Sequence, residues 1–162
     1  MTTTDTPHRI PSRLDVDAAV PAFSRAMSRL DGSATQELDR VGFPAGLREL
    51  VRLRASQLNG CAYCVDTHSA DAVSAGESAQ RVNAVAVWNE SPFFTERERA
   101  ALRFTEVVTR VAETRVPAEE YDAVAAHWSA DEVGALLALI VTINAWNAIA
   151  VATRAWEPAL GG

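Results

Sequence analysis

The sequence predicts an all-α fold of roughly six to eight helices. Apolar residues recur every three or four positions in several long segments, as in helices that bury one face. No segment alternates apolar and polar residues between hairpin turns, as a strand would. Thr95 with Glu98, and Ser129 with Glu132, have the form of a capping box, which opens a helix. The class is therefore all-α.

The chain has 162 residues, which predicts one domain with irregular ends. We expect residues 1–14 to form a flexible polar arm, residues 15–157 to form the helical domain, and residues 158–162 to form a frayed tail. The first helix is expected to be capped by Asp15 or Asp17, with Pro21 early enough to be tolerated. It is expected to end at the break signal Asp31-Gly32-Ser33.

The later helices are expected in order along the chain. One runs from Pro44 or Ala45 to about residue 58, and the next from residue 61 to about 75, closed by Gly76. A short helix spans residues 80–88, and a longer one follows Thr95 to about residue 114. Pro117 opens another helix, and Ser129 opens the last.

The last helix is apolar on all sides, so its whole circumference needs cover. A domain of this size would struggle to provide that cover alone, and we therefore expect a subunit interface. The residues concerned are Val133, Ala135, Leu136, Leu137, Leu139, Ile140, Val141, Ile143, Ile149 and Val151.

Charge and composition exclude some function classes. A net charge of -6 without any lysine argues against a nucleic-acid partner, which would require clustered basic residues. The first residues lack the apolar core of a signal peptide, and Asn144, Asn147 and Arg154 interrupt the most apolar run. That run indicates a core helix more than a membrane span. We therefore expect a cytoplasmic protein with no membrane partner.

The most informative stretch is Asn59-Gly60-Cys61-Ala62-Tyr63-Cys64-Val65-Asp66-Thr67-His68. On a helix, Cys61, Cys64 and His68 share one face, because residues three and four apart are neighbours. Gly60 is suited to ending the preceding helix, which places Cys61 near a new N-terminus, where a thiolate is favoured. Two thiols beside an imidazole predict dithiol redox chemistry.

Two other interpretations of this stretch stay open. A zinc site would need further cysteine or histidine ligands at suitable spacing, and none is evident, so no metal is expected. A structural disulfide would close so small a loop that it would remove little unfolded-state entropy.

Residues outside the motif are more ambiguous. From spacing alone, Glu49 is a surface carboxylate paired with Arg48 or Arg52. Asn144 and Asn147 could line a pocket, although satisfying buried backbone groups or bridging subunits is the simpler interpretation. The tryptophans at 88, 128, 146 and 156 are expected in the core or an interface more than in a binding site.

Glu49, followed after eleven residues by Cys61-Ala-Tyr-Cys64 and then His68, resembles the core motif of the AhpD-like alkylhydroperoxidases of the carboxymuconolactone decarboxylase superfamily. The similarity extends over residues 50–76, Trp88-Asn89-Glu90-Ser91 and Ile143-Asn144-Ala145-Trp146-Asn147. It thus covers most of the chain after about residue 40.

The resemblance implies a thiol-dependent peroxidase acting on organic hydroperoxides without a cofactor. Cys64 would attack the peroxide and Cys61 would resolve it, with Glu49 reaching the dithiol from the neighbouring helix and forming a proton relay with His68. Helix-end electrostatics alone would favour Cys61 as the attacking residue, whereas proximity to His68 favours Cys64. A buried Glu49 is expected to have a raised pKa, as suits a proton donor.

The resemblance also implies partners. An external dithiol reductant (a lipoylated or thioredoxin-like protein, or a small thiol) would regenerate the enzyme, and the subunits would form trimers or hexamers. Tyr63 replaces a histidine found between the cysteines of relatives, and a phenol is a poor base at neutral pH. A thiol-disulfide oxidoreductase or redox sensor, and a decarboxylase or other lyase, are therefore retained as alternatives.

Overall fold

A computed structural model describes residues 8–158, which contain nine α-helices, one 3-10 helix and no strand. The predicted all-α class is therefore confirmed. The helices are α1 Val16–Ala19, α2 Pro21–Arg40, α3 Ala45–Asn59, α4 Ala62–Ser74, α5 Ala79–Ala84, α6 Glu96–Thr109, α7 Val111–Thr114, α8 Ala118–Ala125 and α9 Ala130–Thr153, with the 3-10 helix at Val85–Glu90.

Helix α3 lies at the centre of the fold and packs against α4, α6 and α9. It contributes the fully buried Leu50 and Val51, which join Leu102 of α6 and Leu136 and Ile140 of α9 in one hydrophobic core. Burial of such side chains stabilises the fold by roughly 1.5–3 kcal/mol each. Helix α9 also packs against α2.

The predicted capping boxes are confirmed. At α6 the Thr95 hydroxyl accepts the Glu98 backbone N–H while the Glu98 carboxylate accepts the Thr95 backbone N–H, and Ser129 with Glu132 repeats this arrangement at α9. Asp15 caps α1 as expected, but the single helix expected from there is divided at Val20, whose backbone is non-helical, and Pro21 opens α2. Local chemistry therefore sets these helix starts.

The predicted break at Asp31-Gly32-Ser33 is wrong, because α2 continues through it to Arg40. A glycine inside a helix costs only about 1 kcal/mol relative to alanine. Ala34 and Leu38, which follow the glycine, are buried in a helix that packs against α9, and this packing outweighs the local cost. The Ser33 hydroxyl donates to the Arg29 carbonyl within the helix.

Two other expected helices are interrupted. The helix expected to reach residue 114 ends at Thr109, and α7 follows after Arg110, whose backbone leaves the helical region. The Thr114 hydroxyl donates to the carbonyl of Val107, one of the acceptors left free near that helix end. The helix expected over residues 80–88 becomes α5 and the 3-10 helix, with Val87 non-helical.

The expected arm and tail lie partly outside the described residues, namely at 1–7 and 159–162. Within the described part, the backbone N–H groups of Arg13 and Leu14 donate to the carbonyl of Thr153 at the end of α9. Among the described helices, α9 alone has the length and apolarity to cross a bilayer, and core helices of globular domains meet the same test.

Candidate active site at the start of helix α4

The turn between α3 and α4 places the two cysteines. Gly60 ends α3 in the left-handed conformation, with φ of 68°, which a glycine adopts without steric cost. Cys61 then caps α4, and its sulfur accepts the backbone N–H of Cys64 at 3.3 Å. The chain therefore reverses sharply and holds both cysteines in the first turn of α4.

Cys61 and Cys64 are joined by a disulfide, with their Cα atoms 5.3 Å apart. Both residues are buried, and they pack with Ala150 of α9 and with Trp156. In this state the sulfurs are bonded to each other and do not serve as metal ligands.

His68 and Glu49 form a hydrogen-bonded pair beside this turn. The Nδ1 atom of His68 lies 2.8 Å from Oε2 of Glu49, which comes from α3. A carboxylate acceptor at Nδ1 favours the tautomer with its proton there, so Nε2 is left free to accept a proton.

The second carboxylate oxygen of Glu49 accepts a hydrogen bond from Arg52, one turn further along α3. Both side chains are largely buried. Arg52 also lies 3.9 Å from Asp31 of α2, and His68 lies 3.9 Å from Asp71 of α4. Glu49 is therefore held between His68 and Arg52: the pairing with Arg52 that spacing suggests is confirmed, but the surface position is wrong, because Glu49 is buried.

The expected rise in the pKa of Glu49 is wrong. Burial alone would raise the pKa of this carboxyl, but the hydrogen bond from His68 and the positive charge of Arg52 outweigh it and lower the pKa. Glu49 is therefore a carboxylate at neutral pH. A charged carboxylate in this position accepts a hydrogen bond from His68 and can orient its ring.

Glu49, His68 and Asp71 offer oxygen and nitrogen atoms within 4.8 Å of one another, as a metal site would. Arg52 already donates to Glu49 and places a positive charge beside these atoms. That charge opposes a cation, so the donor set fits a proton-transfer pair better than a metal centre.

Cys64 and His68 line a common cavity of about 500 Å³. Helices α2, α3, α4 and α9 all contribute to it, together with the segment that follows α9. Its lining residues are Asp31, Thr35, Arg52, Tyr63, Cys64, Thr67, His68, Asp71, Ile143, Trp146 and Trp156. Cys61 instead lines a second cavity of about 210 Å³.

Three aromatic residues of the first cavity form a row in which each ring contacts the next. The ring centroids of Tyr63 and Trp156 are 5.8 Å apart, as are those of Trp156 and Trp146, which meet edge to face. Tyr63 is thus part of an aromatic cluster beside the cysteines. Trp88 and Trp128 are buried in the core, as expected, whereas Trp146 and Trp156 were not expected in a cavity.

Asn144 and Asn147 do not line the cavity that contains Cys64. The side chain of Asn59 donates to both of them, Asn147 donates to the Ser56 hydroxyl, and Asn144 donates to Thr109. Asn147 is fully buried. These bonds join α9 to the last residues of α3 and to the end of α6.

Sequence reasoning missed Asp31, Arg52, Trp146 and Trp156 as cavity residues. Ile143 and Trp146 are three apart on α9, but nothing in that spacing distinguishes a cavity wall from the core. The predicted break in α2 led away from Asp31 as a cavity residue. In the continuous helix, Asp31 and Thr35 are four residues apart and lie on one face. Trp156 follows the end of α9 and belongs to no periodic pattern.

Comparison with known proteins identifies relatives. The model of the carboxymuconolactone decarboxylase family matches residues 21–107. The uncharacterised protein YdfG of Bacillus subtilis is 42% identical over 105 residues, which cover 65% of this chain and 71% of YdfG.

Two solved structures have the same fold. One, from Agrobacterium tumefaciens, is described as a protein of unknown function and a candidate antioxidant defence protein, AhpD. It superposes with a TM-score of 0.86 and 36% identity, over 93% of this chain and all of that chain. The other, an AhpD-core peroxidase-related protein from Ralstonia eutropha, has a TM-score of 0.76 over 89% of this chain and 74% of its own, and its 23% identity indicates the fold alone.

Proposed function

The chain belongs to the carboxymuconolactone decarboxylase family, and from that premise we propose that it is a thiol-dependent peroxidase that reduces organic hydroperoxides. The supporting observation is the Cys61–Cys64 disulfide, whose Cys64 shares a cavity with a His68 ring bound to Glu49. A cysteine that becomes a thiol on reduction, a base and a base-orienting carboxylate thus occur together, as nucleophilic catalysis requires.

The oxidative half-reaction begins with the reduced dithiol. His68 takes the proton of the Cys64 thiol, and the thiolate attacks the outer peroxide oxygen, so that an S–O bond forms as the O–O bond breaks. The alkoxide leaves with the proton returned by His68 and becomes an alcohol. The Cys61 thiol then attacks the Cys64 sulfenic acid, which releases water and closes the disulfide. Two electrons pass from the dithiol to the peroxide.

Cys64 is assigned as the attacking residue because it lines the cavity that His68 lines, whereas Cys61 lines the smaller one. In the reductive half-reaction, an external dithiol attacks Cys61, and Cys64 leaves as a thiolate beside His68. The second thiol of the reductant then attacks the mixed disulfide and frees Cys61. The reductant is a lipoylated or thioredoxin-like protein, or a small thiol.

A thiol-disulfide oxidoreductase or redox sensor would use the same dithiol. It would exchange disulfides without consuming peroxide at a useful rate. A decarboxylase or other lyase would retain its activity after both thiols are replaced.

The decisive experiment measures cumene hydroperoxide consumption with a dithiol reductant present. We expect turnover by the wild-type protein and none by Cys64→Ser. Cys61→Ser is the matched control, since it keeps the attacking thiol and should still be oxidised by peroxide, to a Cys64 sulfenic acid that only the added reductant can reduce. Unchanged consumption by Cys64→Ser would eliminate the peroxidase, and disulfide exchange without peroxide consumption by the wild type would favour the oxidoreductase.

A further inference from the structure

The cavity beside Cys64 has an aromatic wall formed by Tyr63, Trp146 and Trp156. Trp156 contacts the other two rings, so the three form one continuous cluster. None is fully buried, and Tyr63 is 37% exposed. With Ile143, they offer a ligand an apolar surface and ring faces and edges for stacking.

The charged groups of the same cavity disfavour anions. Asp31 and Asp71 bring two carboxylates to the lining, and Glu49 lies directly behind His68. Arg52 is the one arginine among the lining residues, and it already donates to Glu49 and lies near Asp31. A ligand carboxylate would therefore meet more negative charge than positive.

The size of the cavity also restricts its ligand. Its volume of about 500 Å³ lies in the range of pockets that hold small organic molecules. Hydrogen peroxide, little larger than a water of about 30 Å³, would leave most of that volume and the aromatic wall unused.

We propose that this cavity binds a neutral molecule carrying an aromatic ring, so that the preferred substrate is an uncharged aryl-substituted hydroperoxide. This inference rests on the proposed function and names the substrate class of the same site. The ring packs on Trp146 and Trp156, and the peroxide group reaches Cys64 beside His68. Small hydroperoxides bind more weakly, because they contact less of the apolar wall. Anionic hydroperoxides bind more weakly, because the carboxylates of the cavity repel them.

The first test measures binding without turnover. Cumyl alcohol, the product of cumene hydroperoxide, is titrated into the oxidised protein by ligand-observed NMR. Trp146→Ala and Trp156→Ala should each weaken its binding by about 3- to 10-fold. Val87→Ala, exposed in the 3-10 helix and outside the cavity, is the matched control and should bind like wild type.

A second ligand isolates the effect of charge. The para-carboxylate analogue of cumyl alcohol should bind at least about 3-fold more weakly than cumyl alcohol itself. Equal binding of the two ligands, or unchanged binding by both tryptophan variants, would overturn the inference. Circular dichroism of each variant verifies that it is folded.

The binding result separates this inference from the proposed function. Cys64→Ser should lose peroxide turnover yet still bind cumyl alcohol more tightly than the para-carboxylate analogue. If the wild type binds cumyl alcohol selectively but consumes no peroxide, the peroxidase proposal fails and the aromatic site stands. If it reduces hydrogen peroxide as efficiently as cumene hydroperoxide, the peroxidase stands and the substrate inference fails.

Discussion

Glu49 connects His68, the proposed catalytic base, to the charged residues around it. One carboxylate oxygen binds His68 and the other binds Arg52, so the group is held charged despite its burial. A fixed carboxylate fixes the tautomer of His68, and the tautomer decides which ring nitrogen can accept the thiol proton. In the proposed mechanism, Glu49 therefore contributes geometry and electrostatics more than a proton.

Replacing Glu49 should destabilise the protein in a pH-dependent way. Its pKa is lowered in the folded state, so its stabilising effect is present above the unfolded carboxyl pKa of about 4.3 and is lost as the pH falls through the folded value. Glu49→Gln should lower the free energy of unfolding by about 1–3 kcal/mol at neutral pH. Urea unfolding at acidic pH should show a smaller loss of unfolding free energy for this variant than at neutral pH.

The exposed Glu119 supplies the control for that measurement. Glu119→Gln should change the free energy of unfolding by less than about 0.5 kcal/mol at either pH. A Glu49→Gln deficit that grew on acidification would contradict the assigned direction of the pKa shift.

Arg52 should set the acid limit of activity. Arg52→Gln removes the positive charge beside Glu49, so the pKa of Glu49 should rise and the acid limb of the kcat/KM profile should move to higher pH. Arg48→Gln is the matched control, because Arg48 is equally buried on α3 but pairs with Asp39, outside the cavity. Superimposable profiles for the two variants would show that Arg52 does not tune the site.

At the scale of single helices, local signals predicted starts better than ends. The sequence predicts the capping boxes at Thr95 and Ser129, and it predicts that Gly60 ends α3. Each of these features depends on residues that are adjacent in sequence. The sequence does not predict that α2 is continuous, because this continuity depends on packing against α9, which no local pattern indicates. Asp31 was missed as a cavity residue for the same reason.

Two glycine substitutions test this account of helix continuity. Gly32 lies inside α2 with open space where a Cβ would stand, so Gly32→Ala should stabilise the protein by about 0.5–1 kcal/mol. Gly60 also has open space but a φ of 68°, so Gly60→Ala should destabilise it by about 1–2 kcal/mol. Urea unfolding measures both, and destabilisation by Gly32→Ala would argue for a break in α2.

At the scale of the whole molecule, α9 is incompletely covered by its own chain. Leu137 and Val141 are 41% and 51% exposed, and they line an apolar depression with Val111 of α7 and Tyr121 of α8. A patch of this kind on a folded domain commonly marks a contact with another protein surface. The predicted subunit interface is therefore placed here, as a hypothesis.

That hypothesis predicts an assembly larger than the 17.4 kDa chain. Size-exclusion chromatography with light scattering should give a trimer or hexamer for the wild type and smaller species for Leu137→Asp. Val87→Asp is the control, because Val87 is more exposed than Leu137 but lies in the 3-10 helix, outside the depression. A monomeric wild-type protein would contradict the interface.

The central claim is that Cys64 attacks a hydroperoxide and Cys61 resolves the product. Intact-mass spectrometry of the reduced protein after one equivalent of cumene hydroperoxide tests it most directly. Wild type should lose two hydrogens as the disulfide forms, Cys61→Ser should gain one oxygen, and Cys64→Ser should keep its mass. An oxygen gained by Cys64→Ser but not by Cys61→Ser would contradict the assignment, and wild-type protein left fully reduced would contradict the peroxidase itself.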